Sequence, residues 1–296
     1  MAPALLLPLL AALLAGSVAS AVHRPLGPRL AARVLATIAV GTALAVLWGA
    51  AILALGFLIE VPWIAAWAGW CRDLYRSDDR ITPLVGLVGV TVVATAFTRG
   101  SLAAYRHRRV VRSAMAFRPV EIVSSPEPIA FAMPGRPGHI VVSTAMLDEL
   151  DPDEQKVLLA HEQSHLDHRH DRYLLAAEVA AAAVPLLRPV AAEVRFSTER
   201  WADEDAAMVV GDRPLVARAI ARAALATADH SKRSLALAGL GVPARVDALL
   251  RPPDRRPTAR AVGIAVGTGI VVFNLVGATV QLHHLIAFTA HICNLS

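Results

Sequence analysis

The stretch Leu158–His170, LLAHEQSHLDHRH, places four histidines, a glutamate and an aspartate directly after a run of apolar residues. His161 and His165 are four residues apart, so on a helix they share one face. Two imidazoles at this spacing can bind one Zn²⁺, and Glu162 between them can accept a proton from the water that the metal activates. The alternative is a solvated helix face with the same spacing. The apolar residues before the motif argue against it, because a buried imidazole needs a partner.

A catalytic zinc needs a third protein ligand, and an acidic stretch downstream can supply it. Residues 197–205 read STERWADED, in which Glu199 and Asp203 are again four residues apart. We predict that Glu199 is the third zinc ligand and that Asp203 accepts the free ring N–H of a ligating histidine. A solvated acidic helix face is the alternative, and it is the interpretation we favour for Glu204 and Asp205.

Three side chains just after the first motif have further candidate roles. His168 and His170 are possible extra ligands or stabilisers of the transition state, and Tyr173 is a possible partner for the scissile carbonyl. The simpler interpretation is a solvated helix end for the two histidines and a packing role for Tyr173.

The residues around the motifs predict a mainly helical domain with a small sheet. Strands are predicted at 120–123, 129–133 and 139–143. Pro-Gly pairs after the second of these predict a hairpin. Helices are predicted at 152–168, 172–187, 198–209 and 214–229. Asp151, Pro152 and Glu154 form a capping pattern for the first helix, and Gly211 ends the third. The strand at 129–133 is either structural or an edge on which a peptide lies extended.

The composition indicates a membrane protein, because 55% of the residues are hydrophobic and the mean hydropathy is +0.51. Four segments are apolar enough to cross a bilayer, the third of them only just long enough: 1–22, 34–59, 81–98 and 261–280. The first resembles a signal peptide at Ala19-Ser20-Ala21 but lacks a positively charged start, so we expect it to be retained as a span. The fold class predicted is an α-helical integral membrane protein with four spans and a mainly α, α+β domain.

The distribution of arginine predicts the topology. Arginines concentrate in the first connector, after the third span and before the fourth, whereas residues 281–296 contain no lysine or arginine. The positive-inside rule then places residues 99–260 in the cytoplasm as the zinc domain. The N-terminus and the C-terminal tail fall outside the cytoplasm. Cys71 and Cys293 fall on that same outer side. They either form a disulfide there or remain as two free thiols.

The net charge of +5 and the pI of about 9.8 are compatible with nucleic-acid binding. The arginines, however, adjoin apolar segments, where they set topology and contact anionic lipid. We therefore expect membrane lipids as partners and no direct binding of nucleic acid.

HExxH at 161–165, followed by ExxxD at 199–203 on a separate helix, resembles the gluzincin membrane peptidases. Two groups share this pattern, the BlaR/MecR-type signalling peptidases and the HtpX and Ste-type proteases. The stretch 126–144, PEPIAFAMPGRPGHIVVST, and the layout of three spans, zinc domain and fourth span are most similar to the BlaR/MecR type.

This resemblance implies zinc-dependent proteolysis at the cytoplasmic membrane face, with a protein or peptide as substrate. In the BlaR/MecR type that substrate is a small winged-helix repressor of the BlaI/MecI type. Only residues 281–296 follow the fourth predicted span, so β-lactam sensing is not carried over. The alternatives are HtpX-like quality control of membrane proteins, or a non-catalytic scaffold or receptor with a structural zinc site. Glu162 argues against the last, because a structural site has no use for a general base.

Overall fold

The computed structural model describes residues 26–58, 61, 83–113, 120–135, 137–230 and 241–251, and five isolated positions between 269 and 280. The elements in this part of the chain are mostly helical. In chain order they are α1 Pro28–Leu58, α2 Pro83–Ser113, β1 Val120–Val123, β2 Ala130–Met133, β3 His139–Ser143, α3 Thr144–Asp148, α4 Pro152–Asp167, α5 His170–Ala183, a 3₁₀ turn Pro185–Leu187, α6 Arg188–Val210, α7 Arg213–His230 and α8 Val242–Leu250.

Two described helices are long and apolar enough to cross a membrane, over Pro28–Leu55 in α1 and Leu84–Arg109 in α2. They include residues 34–58 of the second predicted span and residues 83–98 of the third; residues 59, 81 and 82 lie outside the described part of the chain. The first and fourth predicted spans, the tail and both cysteines lie outside the described residues, apart from the isolated positions.

The two long helices run antiparallel and pack closely where α2 has a glycine. A Cβ added to Gly89 would lie 2.7 Å from the backbone nitrogen of Ala54 and 2.8 Å from the carbonyl oxygen of Ala50. A larger residue would push the two helices apart, so the glycine permits their contact.

The first half of α1 belongs to the same core as α5 and α6. Its small and branched residues are buried with residues of α5, the 3₁₀ turn and α6, in one cluster that contains Leu35, Ala39, Ala43, Val46, Ala180, Val184, Leu187, Val190 and Val194. Beyond Val46, α1 contributes no residue to this cluster.

Helices α5 and α6 form a helical hairpin that is longer than the sequence predicts. The helix predicted at 172–187 begins at His170 and ends at Ala183, where Pro185 starts the 3₁₀ turn. The helix predicted at 198–209 begins already at Arg188, with Pro189 in its first turn. The early start continues the apolar face through Val190 and Val194, which lie one turn apart. Gly211 ends α6 with φ +77°, as predicted.

The sheet has the order β1-β3-β2. The predicted hairpin is confirmed, because β2 pairs antiparallel with β3. Strand β1 pairs with β3 in parallel. The central strand β3 is fully buried, and β2 lies at an edge beside α4.

The start of α4 follows the sequence closely. The Asp151 carboxylate accepts from the amides of Asp153 and Glu154, and Glu154 accepts in return from the Asp151 amide at 3.2 Å. This capping box fixes where the helix begins and hence which face carries the histidines. Arg169 takes a left-handed conformation, with φ 53°, and turns the chain from α4 into α5.

Candidate active site

Two histidines of α4 and one glutamate of α6 bring their side chains together. The Nε2 atoms of His161 and His165 are 3.2 Å apart. The Glu199 carboxylate lies 3.5 Å from Nε2 of His161 and 3.8 Å from Nε2 of His165. One donor atom from each residue lies within 4.8 Å of the other two. The residues predicted from the two spaced motifs therefore meet in one place.

The three donors fit a zinc ion in both chemistry and spacing. Two imidazole nitrogens and one carboxylate form a donor set that zinc accepts. Ligand atoms at about 2.1 Å from a tetrahedral zinc are about 3.4 Å from one another. The separations of 3.2, 3.5 and 3.8 Å lie around that value.

Asp203 lies behind the first histidine. Its Oδ1 atom is 3.1 Å from Nδ1 of His161, within ion-pairing distance although the angle is poor for a hydrogen bond. Burial disfavours the charged imidazole, but the carboxylates of Asp203 and Glu199 outweigh it and raise the pKa of His161 to about 10. Asp203 thus lies at one ring nitrogen of His161, and Nε2 on the other side of the ring faces Glu199.

Arg245, from α8, is a residue that the sequence analysis did not assign. Its Nη2 atom donates to Oδ1 of Asp203 at 2.6 Å and its Nε atom to Oδ2 at 2.8 Å. Its Nη1 atom lies 3.0 Å from the Glu199 carboxylate. Only 13% of its side chain is exposed. Burial raises the pKa of Glu199, but His161 and Arg245 overcome this and hold it below its ordinary value.

His170 is completely buried, so the predicted solvated helix end is wrong for this residue. Its Nδ1 atom is 3.0 Å from Nδ1 of His165, the ring nitrogen on the side away from Glu199. The turn at Arg169 brings this contact about. Burial, with the charges of neighbouring histidines, lowers the pKa of His170 to about 3, so its ring is neutral. His170 thereby holds the second imidazole in place.

Glu162 is buried beside the three donors. Burial raises the pKa of its carboxyl group, although the nearby charge of His161 opposes the shift. The backbone amide of Ala132 in β2 lies near the same carboxylate and also opposes the rise in its pKa. The edge strand therefore reaches the group that is predicted to act as general base.

Asp205 is also buried, which shows that its predicted solvated position is wrong. Its Oδ2 atom accepts from Ser164 Oγ at 2.7 Å and lies 2.9 Å from Nε2 of His168. Its Oδ1 atom accepts from Arg29, in the first turn of α1, at 2.5 Å. Asp205 thus joins α1 to the helix that carries HExxH. Glu204 is only half buried and pairs with Arg213.

The indole of Trp201 fills the space behind this network. His168 stacks on it at a centroid distance of 4.6 Å, and Arg29 and Arg33 lie over its ring at 5.8 and 5.2 Å. Tyr173 lies 6.1 Å from the same ring and packs against the core. The structure therefore places Tyr173 in packing contacts, and not among the three donors.

We expect Asp205→Ala to lower the free energy of unfolding by about 1–3 kcal/mol, because it leaves the buried Ser164 hydroxyl without its acceptor and frees Arg29. Chemical unfolding of the detergent-solubilised chain, followed by circular dichroism, measures the change. Asp148→Ala, at an exposed position, is the matched control and should change it by less than about 0.5 kcal/mol. Equal stability of the two variants would show that the network contributes nothing.

A cavity of about 2460 Å³ opens beside the donors. His161, Glu162 and Glu199 lie in its wall, together with β2 residues that include Phe131. The cavity is large enough for an extended stretch of polypeptide, and one wall is a strand edge. The arrangement can therefore hold a peptide next to a metal and a general base.

The profile of Peptidase family M48 matches residues 98–246, half of the chain. No curated protein and no solved structure matches the chain. The matched region contains both motifs and Arg245. It does not distinguish the BlaR/MecR type, which stays a prediction. The chain belongs to peptidase family M48, whose members are zinc metallopeptidases.

Proposed function

We propose that this chain is an integral-membrane zinc endopeptidase whose active site faces the cytoplasm. The observation that carries the proposal is the convergence of His161, His165 and Glu199 on one point with Glu162 beside them. In this proposal the first three residues hold the metal and Asp203 orients His161. Arg245 holds Glu199 and Asp203 in position, and His170 orients His165.

Zinc, when bound, would polarise the scissile carbonyl and make a bound water acidic. Glu162 would accept a proton from the attacking water and pass it to the leaving amine. Its burial suits this role, since the raised pKa of its carboxyl group lies closer to neutrality. The edge of β2 would align the substrate backbone by strand addition. In that step the Ala132 amide, which lies near Glu162, would be next to the substrate.

The membrane location is supported by exposed apolar side chains on α1 and α2. Leu44 is 62% exposed and Phe97 is 76% exposed. Side chains of this size on two long apolar helices suit lipid rather than water. In α2 the apolar part is followed by Arg99 and further arginines, which favours a cytoplasmic C-terminal half.

The proposed substrate is a protein cut at the membrane face. The proposal that this substrate is a winged-helix repressor of the BlaI/MecI type rests only on the resemblance of the motifs and layout. HtpX-like quality control has the same chemistry and differs only in substrate. Incubation of the purified chain with candidate repressors and, separately, with an unfolded membrane protein distinguishes the two. Cleavage of the repressor at one site favours signalling, whereas cleavage of the unfolded protein at many sites favours quality control.

We expect one zinc per chain and complete loss of cleavage when the metal is removed, because Glu162 cannot activate water alone. Mass spectrometry of the metal and cleavage assays before and after chelation measure both. Addition of one equivalent of zinc to the chelated protein should restore activity. Cleavage that persists in the metal-free protein would exclude the proposed chemistry.

A further inference from the structure

The hairpin of α5 and α6 lies alongside the two long helices, and recorded contacts give its depth relative to them. In the pairing of α1 with α2, Gly89 is opposite Ala54, and Gly86 is opposite Phe57. Both helices rise by about 1.5 Å per residue. The same register places Arg99 of α2 level with Leu44 of α1, which is 62% exposed.

Helix α5 runs antiparallel to α2. His107 of α2 lies 3.9 Å from Asp171 near the start of α5. A Cβ at Gly100 would lie 3.7 Å from a Val179 methyl carbon, two turns further along. Extended to Ala183, the end of α5, this register reaches the turn of α2 just before Arg99. The tip of the hairpin, residues 184–189, therefore lies about one helical turn beyond Arg99, on its apolar side.

The tip also belongs to the core that α1 enters. Val184, Leu187 and Val190 of the hairpin are buried in one cluster with Ala43 and Val46 of α1. These α1 residues are next to Leu44, the residue that the first register placed level with Arg99. The register of α5 on α2 therefore gives the depth of the tip, and this cluster joins the tip to α1.

The side chains of the tip that are not in the core are apolar or basic. Leu186 is 41% exposed, and Pro185, Arg188 and Pro189 are exposed around it. Phe97 and Trp48, at about the same depth on α2 and α1, are exposed large apolar residues. No ion pair is recorded for Arg99 or Arg188 among the described residues. At the depth of the tip, the protein surface therefore carries both exposed apolar side chains and exposed arginines.

We propose that the tip, residues 184–189, inserts into the interface of an anionic phospholipid bilayer as an additional anchor of the zinc domain. Leu186 and Pro185 enter the boundary of the acyl chains, and Arg188 and Arg99 contact lipid phosphates. The inference rests on the proposed membrane location of α1 and α2. Because α6 carries Glu199 and Asp203, the anchor also fixes the helix that supplies the third donor at a set distance from the bilayer.

The test uses the full chain in lipid nanodiscs, with Cys71 and Cys293 replaced by serine and one cysteine labelled with an environment-sensitive fluorophore. The label is placed at position 186, at position 87 of α2 as the lipid-facing control, or at position 225 of α7 as the solvent control. Leu225 is 65% exposed on a helix that packs on α4 and α8. Nitroxide-labelled lipids then measure contact with the bilayer.

We expect quenching at 186 to approach that at 87 and to exceed that at 225 several-fold. Quenching at 87 without quenching at 186 overturns the anchor and leaves the membrane location standing. Absence of quenching at 87 overturns both, whereas peptide cleavage is tested separately. Nanodiscs with and without anionic lipid complete the test. We expect stronger quenching at 186 in anionic lipid and loss of that preference in Arg188→Gln. Equal quenching in both lipids overturns the preference for an anionic bilayer.

Discussion

Replacing Glu162 with glutamine should reduce kcat/KM for peptide hydrolysis by about 10²–10⁴-fold and leave the zinc content unchanged. Glutamine has the same shape and still offers an oxygen to the Ala132 amide. It cannot accept a proton from the attacking water. The metal ligands are untouched, so this variant should bind zinc normally and lose peptide hydrolysis.

The measurement compares wild type with Glu162→Gln on one fluorogenic peptide, with metal content determined on the same samples. Glu149→Gln is the matched control, because it makes the same chemical change at an exposed position at the end of α3. It should keep full activity. Glu162→Gln with activity close to wild type would rule out Glu162 as general base. Loss of zinc in this variant would assign the residue to metal binding instead.

The predicted donors depend on local spacing, and that is why sequence could identify them. A pair of residues four apart shares a helix face whatever the rest of the fold does. The capping box at Asp151 fixed the start of α4, and the Pro-Gly pairs fixed the hairpin of β2 and β3. These signals lie within a few residues of the element that they specify.

The residues that sequence missed are held by contacts between distant parts of the chain. Asp205 pairs with Arg29, 176 positions away, and Arg245 lies 42 positions from Asp203. Neither pair leaves a periodic pattern. His170 is buried because Arg169 adopts a left-handed conformation, which is rare for a residue other than glycine and is not signalled by its neighbours.

The extent of the spans shows a related limit. Hydropathy identified the apolar part of α1. It could not show whether those apolar side chains face lipid or pack against the rest of the protein. Leu35 and Ala39 lie in the predicted span and are buried against the zinc domain. The same helix carries Arg29, which contacts Asp205 on the ligand-bearing helix α6. A helix long and apolar enough to cross a membrane thus packs as one unit with the helix that carries Glu199 and Asp203.

Arg245 should have the largest effect on stability of any single residue of the site. In Arg245→Met the buried Asp203 carboxylate loses both guanidinium bonds and Glu199 loses its ion pair. Removing one partner of a buried pair costs about 3–5 kcal/mol, because the remaining charge is left without compensation. We expect this loss in the free energy of unfolding of the metal-free protein.

Zinc should reduce the cost of Arg245→Met, because a bound cation compensates the charge on Glu199. Chemical unfolding therefore measures the loss in the free energy of unfolding of Arg245→Met twice, once with chelator and once with zinc. We expect the larger loss with chelator. Zinc affinity, measured by competition with a chromophoric chelator, should fall by about 10–100-fold, as expected when a residue that orients ligands is removed. Arg251→Met is the matched control: its guanidinium pairs with Asp247 at the exposed end of the same helix, and such pairs contribute about 0–1 kcal/mol. Equal losses for the two variants would contradict the role of Arg245, since Arg245, unlike Arg251, contacts the Asp203 and Glu199 carboxylates.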